Sequence, residues 1–462
     1  MSKVFVLGID CAPPEFIFDD WLDELPTIKK LMEEGCYAKL NSSVPPLSIV
    51  AWTSIMTGKS PSDTGIFEYV YRKNNSYGDL NIFSSLNLKE KTIWQIASEQ
   101  GKRSIICLMP LTWPIKKEFN GKLVCGFMTP DTNTEYTYPK ELKQEIGTLF
   151  DGKFMIESQF RDVSKEKVVE SSYQVTDMHF RLIKHFLKNE TWDLFFSVLV
   201  ESDAIGHHFL KFVDKNHRKY DPNSKFKDVM KDYYKYIDRN LGEILKMLDE
   251  DTKIIVLSDH GIKRLHNRVN LSDWLIKEGY LVLKNNLSLK EKAKLSMDMV
   301  DWGKTRAWAI GAYEGQIFIN LKKREPQGVV EETDYEKLIQ ELEIKLKEIP
   351  GDDGKKLETR IFVRKRDYDG KKIDIAPDMI IYFDELQYGC NTSLIGNETL
   401  WSPMTAKGSD DAGHSQQGMF IIKDNENNKG NIGEIDVLDV APTILNGMGL
   451  VIPEDMKGKV IE

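Results

Sequence analysis

The sequence predicts an α/β fold in which a mainly parallel central sheet is flanked by helices. Two observations lead to this fold class. Several apolar runs are continuous rather than alternating, which is typical of strands that are buried on both faces. Segments with a helical spacing of apolar residues alternate with these runs, as they do when crossover helices join the strands of a parallel sheet.

The predicted strands follow one another along the chain from the N-terminus. The first, Val4–Ile9, is apolar throughout and is followed by an aspartate. Helix-like segments precede the next three strands, and in the last of these segments apolar residues recur three and four positions apart. A final helix is predicted within residues 436–450. The other predicted strands are Ser104–Met109, Asp193–Asp203, Lys253–Gly261 and Gly418–Asp424, and the helix-like segments are Thr92–Lys102, Ser171–Lys188 and Tyr233–Glu250.

A change in sequence character marks a second unit between Asn270 and Ala376. A strand-like segment at residues 316–325 is followed by a charged amphipathic segment at 334–349 and a polar, turn-rich segment at 351–372. We expect a smaller α+β cap over residues 263–375. The larger core would then comprise residues 1–262 and 376–462.

Composition and charge narrow the class of protein. The 462 residues are 41% hydrophobic and 29% charged, and the net charge of −9 argues against binding to nucleic-acid polymers. The apolar runs are shorter than the roughly 18 residues that cross a bilayer, and the N-terminus does not resemble a secretion signal. Five scattered cysteines without a CxxC pair favour a reducing compartment. We therefore expect a cytoplasmic protein without a transmembrane segment, whose oligomeric state the sequence does not indicate.

Acidic residues and histidines collect at the carboxyl ends of the predicted strands, where open α/β sheets bind their ligands. Carboxylate oxygen and imidazole nitrogen together suit a divalent ion such as zinc or manganese. Ordinary alternatives exist, because a single aspartate after a strand is often a helix cap, and the pair Asp203 and His207 could begin a solvated helix. The candidate ligands after the strands are Asp10, Asp203, His207, Asp259 and His260, and a loop before the last predicted strand contributes His414.

Other reactive side chains have simpler interpretations. Cys11 follows Asp10, but its neighbours Ile9 and Ala12 are apolar, so we expect it to pack as a small hydrophobic residue and not to act as a nucleophile. We interpret His208, which would point away from its neighbour, as structural. The remaining histidines have no acidic partner in a comparable position after a strand, and we interpret them as core or surface residues: His179, His185, His217 and His266.

The stretch Val44–Phe67 combines three prolines, an apolar middle and several hydroxyl side chains. One explanation is a loop followed by a helix that begins near Ser48, with the hydroxyls as caps. The other is that one hydroxyl is a nucleophile, activated by a metal ion and by the positive end of a helix. In a helix that begins at Ser48, each residue turns by about 100°, so Thr53 and Ser54 point away from the strand ends.

Taken together, these segments resemble the type I phosphodiesterase/nucleotide pyrophosphatase family, in the prokaryotic branch of that group within the alkaline phosphatase superfamily. The similar pieces are VLGIDCAPPEF, LPTIKKLMEEG, PPLSIVAWTSIMTGKSPSDTGIF, ESDAIGHHF, VLSDHG and GHS, and they occur in the family's order. The resemblance implies an alkaline-phosphatase-like fold with two divalent metal ions, zinc or manganese. It assigns Asp203, His207 and His414 to one ion, and Asp10, Asp259 and His260 to the other.

The same resemblance assigns the nucleophile. The family's serine or threonine lies nine residues before the threonine of its TG motif, here Thr57, which gives Ser48. Ser48 would contact the second metal ion from a helix N-terminus, and Trp52 and Met56 would face the core. One departure concerns the substrate pocket, because the family's phosphate-binding asparagine has no counterpart near Tyr69.

The activity that the resemblance implies is metal-dependent hydrolysis of a phosphoric ester, of the phosphodiesterase or nucleotide pyrophosphatase type. A small phosphorylated substrate would react through a phosphoseryl intermediate. A phosphomonoesterase, a phosphomutase and a catalytically silent metal-binding relative are the alternatives. A sulfatase is disfavoured, because the segment Cys11–Glu15 ends in glutamate where the sulfatase motif requires arginine.

Overall fold

The structure, a computed structural model, describes residues 3–116, 118–284, 292–405, 408–409, 411–424 and 430–461. Within them, a nine-stranded sheet forms the centre of the larger unit, and five consecutive strands, the fourth to the eighth in spatial order, pair in parallel. This arrangement confirms the predicted α/β class. In spatial order the strands are Gly430–Asp436, Cys36–Asn41, Gln417–Lys423, Lys253–Leu257, Val4–Ile9, Leu194–Leu199, Ser104–Met109, Gly121–Cys125 and Thr137–Tyr138.

Two parts of the sheet differ from the simplest parallel arrangement. Gln417–Lys423, which forms the last of the predicted strands, runs antiparallel to both of its neighbours. One of those neighbours, Cys36–Asn41, alternates between buried and partly exposed residues. A strand of this kind lacks a continuous apolar run, so the pattern used for the other strands does not find it.

Helices flank the sheet and supply much of the main core. The longest, Lys165–Asn189, contains the predicted helix at 171–188, and its first turn is capped by the Ser164 hydroxyl, which accepts a hydrogen bond from the Lys167 amide. None of the helices in the described ranges is long and apolar enough to cross a membrane. The other principal helices of this unit are Pro26–Glu34, Ser48–Thr57, Ile93–Glu99, Leu142–Leu149, Glu201–Phe209, Val229–Leu245 and Val440–Gly447.

A smaller unit, the cap, has a hydrophobic core of its own, formed by side chains between Val269 and Ile395. Its strand Met379–Tyr382 lies beyond residue 375, where we expected the cap to end, yet it pairs with two cap strands. We therefore propose that the cap extends to Ile395. Its antiparallel sheet has the order Ala307–Ile310, Gly315–Ile319, Met379–Tyr382 and Arg360–Val363, and its principal helices are Leu271–Lys277 and Glu332–Lys347.

Short strands outside these two sheets pair locally. A pair formed by Gly261–Arg264 and Ala412–Ser415 lies next to the main sheet and carries His414. The others are Val70–Arg72 with Leu80–Ile82, Asn267–Val269 with Tyr388–Cys390 and Trp401–Ser402, Ala293–Lys294 with Leu394–Ile395, and Met404–Thr405 with Gly408–Ser409.

A hairpin that follows the Ser48 helix reaches from the core into the cap. Its Arg72 side chain lies about equally far from the rings of Trp308 and Phe318, 4.9 and 5.0 Å from their centroids. The Tyr77 ring stacks on Trp302 with 3.5 Å between centroids. Aromatic and cation–π contacts of this kind fix the cap against the segment of the core that carries Ser48.

Candidate metal centre and nucleophile

The parallel register of the sheet brings three chain segments to one edge. Ile9 pairs with Leu199, and Gly8 pairs with Leu257, so three strands end almost level. Asp10 follows the first strand, the helix Glu201–Phe209 follows the second, and the segment 258–260 follows the third. The carboxyl ends of these strands therefore place the predicted acidic residues and histidines side by side.

Three of the predicted ligands form one compact group. Asp203, His207 and His414 each direct a ligand atom to a common place, and these atoms lie within 4.8 Å of one another. Asp203 and His207 are one turn apart on the same helix, with 3.3 Å between Asp203 Oδ1 and His207 Nε2. His414 Nε2 lies 3.7 Å from the same carboxylate oxygen. The structure thus brings together the set that the resemblance assigned to one ion.

A second group lies beside the first and shares one residue with it. Ligand atoms of Asp10, Asp203 and His260 also lie within 4.8 Å of one another. Asp259, which the resemblance grouped with Asp10 and His260, is adjacent: its Oδ2 is 3.3 Å from His260 Nε2. Asp203 therefore lies between the two groups, and all six predicted ligands belong to one cluster.

The three histidines are oriented so that their Nε2 atoms face this cluster. His414 Nδ1 is 2.8 Å from the Pro46 carbonyl oxygen, and His260 Nδ1 is 3.0 Å from that of Gly261. A carbonyl oxygen only accepts hydrogen bonds, so in both residues Nδ1 carries the proton and the Nε2 lone pair is left for a ligand. Each ring is in the tautomer that a metal ligand requires.

Two carboxylate oxygens of the cluster are buried without a hydrogen-bond donor among the described residues. They are Asp203 Oδ1 and Asp259 Oδ2. A buried acceptor without a partner costs about 1–3 kcal/mol, and that cost disappears if a cation occupies the position that the oxygen faces. Unpartnered carboxylate oxygens opposite imidazole Nε2 atoms are a donor set that fits divalent zinc or manganese.

The charges of the cluster also disfavour a state without a cation. Burial raises the pKa of Asp10 well above its ordinary value, and Asp259 and Asp203 raise it further. Burial likewise raises the pKa of Asp259 to about 6. For Asp203 burial would raise the pKa, but His207 and His414 together hold it well below the usual range. Three acids in one buried place cannot all ionise at low cost unless positive charge is supplied.

Ser48 occupies the position expected of the nucleophile. It is buried and is the first residue of the helix Ser48–Thr57. Its Oγ lies 3.1 Å from His260 Nε2 and 3.4 Å from Asp10 Oδ1. The Thr53 hydroxyl instead donates to the Ile49 carbonyl within the helix, so it points away from the cluster as expected. The structure places Ser48 beside the second group of ligands.

Trp52 has a second role that the sequence did not suggest. It is buried in the core as expected, but its Nε1 also donates a 2.7 Å hydrogen bond to Asp10 Oδ2. Gly8 makes room for it, because a Cβ at that position would lie 2.3 Å from the indole ring. Ser202 fixes the same acid from the other side by donating to the Asp10 backbone carbonyl at 2.6 Å. A glycine inside an otherwise apolar strand was the one available signal of this close approach.

Cys11 contributes its backbone to the site. Its amide donates to Asp259 Oδ1 at 3.2 Å, and it adopts a left-handed conformation with φ of 60°. Burial raises the pKa of its thiol well above the ordinary value, and nearby carboxylates such as Asp203 raise it further. A thiol that resists ionisation is a poor nucleophile. All five cysteines are free and buried.

Tyr69 lies close to the cluster, beside Ser48. Burial raises the pKa of its hydroxyl well above the ordinary value, the Asp203 and Asp10 carboxylates raise it further, and the Ser48 hydroxyl lowers it in part. The side chain therefore remains a protonated phenol next to Ser48.

Two of the remaining histidines have acidic partners away from the strand ends. His185 Nε2 is 2.7 Å from Glu145 Oε1 near the protein surface. His179 is buried, and its Nδ1 lies 3.5 Å from Glu201, the first residue of the helix that carries Asp203. These pairs join residues far apart in the chain, so no local sequence pattern predicts them. His217 Nε2 lies 2.9 Å from the Asp411 carbonyl oxygen, outside the cluster.

Comparison with known proteins gives the family. A family model described as type I phosphodiesterase / nucleotide pyrophosphatase matches residues 4–399, which includes every predicted ligand except His414. The chain belongs to this family. It is accordingly a hydrolase that acts on phosphoric ester or diphosphate bonds, as the resemblance implied. No curated protein sequence matches the chain.

Solved structures share the fold over nearly the whole chain. The phosphonoacetate hydrolase of Sinorhizobium meliloti 1021, in complex with phosphonoformate, is similar with a TM-score of 0.62 and 15% identity, over 97% of this chain and 96% of that one. Human ectonucleotide pyrophosphatase / phosphodiesterase 5 has a TM-score of 0.54 and 13% identity, over 98% and 97%. An inactive variant of its murine counterpart, in complex with AMP, has a TM-score of 0.52 and 13% identity, over 98% and 97%. At these identities the likeness concerns the fold alone.

Proposed function

We propose that the protein is a metal-dependent phosphodiesterase or nucleotide pyrophosphatase that uses Ser48 as its nucleophile and two divalent ions, zinc or manganese, as cofactors. One observation carries the proposal: unpartnered oxygens of Asp203 and Asp259 face imidazole Nε2 atoms within one cluster, and the Ser48 hydroxyl lies at its border. Folded proteins rarely leave buried acceptors without a partner, and the several imidazole Nε2 atoms opposite these oxygens distinguish them from the buried Glu201 oxygens, which lie near a single histidine.

The residues divide into two ligand sets and one nucleophile. Divalent ions supply positive charge for the phosphoryl oxygens and lower the effective pKa of a nearby hydroxyl. Ser48 lies at the N-terminus of its helix, where the helix dipole also favours an anionic group. Asp203, His207 and His414 would hold one ion, and Asp10, Asp259 and His260 would hold the other.

The proposed reaction has two steps that conserve atoms and charge. In the first, Ser48 Oγ forms a bond to phosphorus as the bond to the leaving oxygen breaks, and the hydroxyl proton ends on the departing alcohol or phosphate. In the second, water attacks the phosphoseryl group, returns the proton to Ser48 and releases the product. Trp52 holds Asp10 in place during both steps through its 2.7 Å hydrogen bond.

The charge of the filled site favours a reacting phosphoryl group with one negative charge, as in a diester or a disubstituted diphosphate, over the dianionic group of a monoester. Three ligand carboxylates and two divalent ions give a filled site of roughly +1, which a monoanionic diester neutralises and a dianionic monoester overcompensates. The murine neighbour is described in complex with AMP, and the Sinorhizobium protein with phosphonoformate. Both ligands are small phosphorus-containing anions, which supports a small substrate of that kind here.

Net charge and cysteine content support a small-molecule substrate and a cytoplasmic location. A net charge of −9 favours small-molecule substrates over nucleic-acid polymers. Five free and buried thiols support a reducing compartment such as the cytoplasm.

A substrate panel on metal-loaded and metal-stripped protein tests the proposal. We expect an aryl phosphodiester and a nucleotide sugar to be hydrolysed faster than an aryl phosphomonoester or a phosphonate. Chelation should abolish turnover, and added zinc or manganese should restore it. The Ser48→Ala variant, purified in parallel, controls for contaminating phosphatases. Full activity in metal-stripped protein, or equal activity in the variant, would contradict the assignment.

A further inference from the structure

One side chain of the cap touches the candidate metal centre. Tyr313 lies at the tip between the cap strands Ala307–Ile310 and Gly315–Ile319. Its ring stacks on His414, with 4.6 Å between centroids and 29° between planes, and lies 5.3 Å from the ring of His207. Its hydroxyl oxygen is 3.5 Å from His207 Nδ1. A single cap residue therefore contacts two histidines of the same ligand group.

The tip that presents Tyr313 is fixed on both sides. The preceding carbonyl, of Ala312, accepts a 2.8 Å hydrogen bond from the Cys390 amide within the cap. On the other side, Gln316 Nε2 donates at 3.1 Å to the Phe67 carbonyl, in the segment that follows the Ser48 helix. The neighbour of His414, Gly413, has no side chain, and a Cβ there would lie 3.6 Å from the Tyr313 ring. The two hydrogen bonds thus hold the tip in place, and Gly413 leaves room for the stacked Tyr313 ring.

We propose that Tyr313 is a positioning residue of the metal centre, which orients His207 and His414 and thereby couples the placement of the cap to metal binding. This inference rests on the proposed function, since it assumes that the group of Asp203, His207 and His414 holds an ion. It adds a role for the cap that does not follow from the ligand set itself.

The histidines differ in what orients them. Backbone carbonyls accept hydrogen bonds from His414 and His260, and no side-chain substitution can remove these acceptors. At His207 the neighbour of Nδ1 is a phenol oxygen, which can accept the Nδ1 proton and leave Nε2 for the ion. Partners of this kind fix the tautomer and ring orientation of a metal-bound histidine, and their loss typically weakens metal affinity about 10- to 100-fold.

Coupling between the cap and the ion must act in both directions. If the placement of Tyr313 strengthens metal binding, then metal binding stabilises the tip that carries Tyr313 by the same free energy. Amide exchange of the hairpin Ala307–Ile319 should therefore slow when the ion is added. The helix Glu332–Lys347, on a different part of the cap, should change less.

The deciding experiment compares variants of the full chain in metal titrations. Tyr313→Phe and Tyr313→Leu are titrated with zinc against a chromophoric chelator, and the visible spectrum is recorded with Co²⁺ in place of zinc. We expect the Phe variant to lose about tenfold in affinity for one of the two ions, and the Leu variant about 100-fold. Both should change the Co²⁺ spectrum, a readout that a purely structural role would not alter.

Tyr77→Phe is the matched control. Tyr77 also supplies a hydroxyl to the cap, where it donates a 2.7 Å hydrogen bond to Asn320 away from the cluster. This variant should lower stability without changing metal affinity or the Co²⁺ spectrum. In the wild-type chain, the Tyr77 hydroxyl contributes only to the packing of the cap.

The outcomes separate this inference from the proposed function. If the wild-type chain binds no ion, the proposed function fails, and this inference fails with it before any variant is compared. If the chain binds two ions but Tyr313→Phe keeps wild-type affinity and an unchanged Co²⁺ spectrum, only the role of Tyr313 is overturned. The Phe variant decides this even if Tyr313→Leu does not fold. Unchanged exchange of the hairpin on metal addition would overturn the coupling.

Discussion

Two buried aspartates, one in the cap and one at the sheet edge, show how differently this chain treats the same functional group. Asp378 in the cap is fully buried, and its oxygens accept hydrogen bonds from the Ile319 amide, the Tyr335 hydroxyl and two nitrogens of Arg324, all within 2.6–2.8 Å. Burial would raise its pKa, but Arg364 and Arg324 hold the pKa below the ordinary value. The protein itself supplies every partner that this carboxylate needs.

Asp259 at the sheet edge is equally buried, but the described residues supply only part of the hydrogen-bond partners of its carboxylate. Its Oδ1 accepts a hydrogen bond from the Cys11 amide, and its Oδ2 has no donor in the described part of the chain. Burial raises its pKa to about 6. The comparison supports the assignment of Asp378 as a structural acid and of Asp259 as a functional one, because the unpartnered oxygen of Asp259 lies 3.3 Å from His260 Nε2 within the ligand cluster.

The largest effect is expected at Ser48. Ser48→Ala should lower turnover by at least about 1,000-fold, or ~4 kcal/mol in barrier height, because it removes the nucleophile. Metal content should remain at the wild-type value, since the aspartates and histidines are unchanged. Steady-state kinetics together with metal analysis measures both quantities.

Thr53→Ala is the control for Ser48, since it removes a hydroxyl from the same helix that bonds only to the Ile49 carbonyl. It should leave turnover nearly unchanged. Acid quench during turnover of a slow substrate, followed by mass spectrometry, should find phosphate on Ser48. A label on another residue, or near-normal turnover in Ser48→Ala, would show that the covalent mechanism is wrong.

The next largest effect is on stability, at Asp378. Asp378→Asn should destabilise the protein by about 3–5 kcal/mol, because it removes the counter-charge of the buried Arg364 and leaves Arg324 only Glu325, which also pairs with Arg72. Denaturant unfolding of metal-free protein measures the change. Asp23→Asn, at an exposed pair with Lys29, should alter stability by at most about 0.5 kcal/mol. If both variants lost a similar free energy of unfolding, Asp378 would not be a structural acid, and the contrast with Asp259 would not hold.

A smaller effect is expected at Cys11. Cys11→Ala should keep turnover within about tenfold of wild type, or ~1.4 kcal/mol, because the residue serves Asp259 through its backbone amide and its thiol resists ionisation. Kinetics under metal-saturated conditions test this. A loss as large as that of Ser48→Ala would mean that the thiol takes part in the chemistry.

At Asp259 the expected effect on stability is much smaller than at Asp378. In metal-free protein, Asp259→Asn should change the free energy of unfolding by at most about 1 kcal/mol, since it removes a buried charge and keeps the oxygen that faces the Cys11 amide. Metal affinity should nevertheless fall. A destabilisation as large as that of Asp378→Asn would identify Asp259 as a structural acid.

The sequence predicted those features that depend on local pattern. Continuous apolar runs located the central strands, and the residues directly after them, such as Asp10 and His260, proved to share one sheet edge because parallel strands end together. The start of the helix at Ser48 was also local information, since a loop with two prolines precedes it.

Contacts between distant segments were not predictable. The hydrogen bond from Trp52 to Asp10 and the stacking of Tyr313 on His414 each depend on how separate elements pack, which no periodicity records. The strand Met379–Tyr382 has the same apolar character as the strands of the main sheet, so sequence alone could not assign it to the cap. In each case the contact, or the sheet to which the strand belongs, depends on tertiary packing and not on the local sequence.

Metal stoichiometry tests the central claim most directly, namely that the unpartnered acids and histidines hold two divalent ions. The wild-type chain and His207→Ala are saturated with zinc, freed of unbound metal and compared by elemental analysis. We predict about two equivalents per chain for the wild type and about one for the variant, because His207 belongs to only one of the two ligand groups. No bound metal in the wild type, or two equivalents in both proteins, would contradict the account.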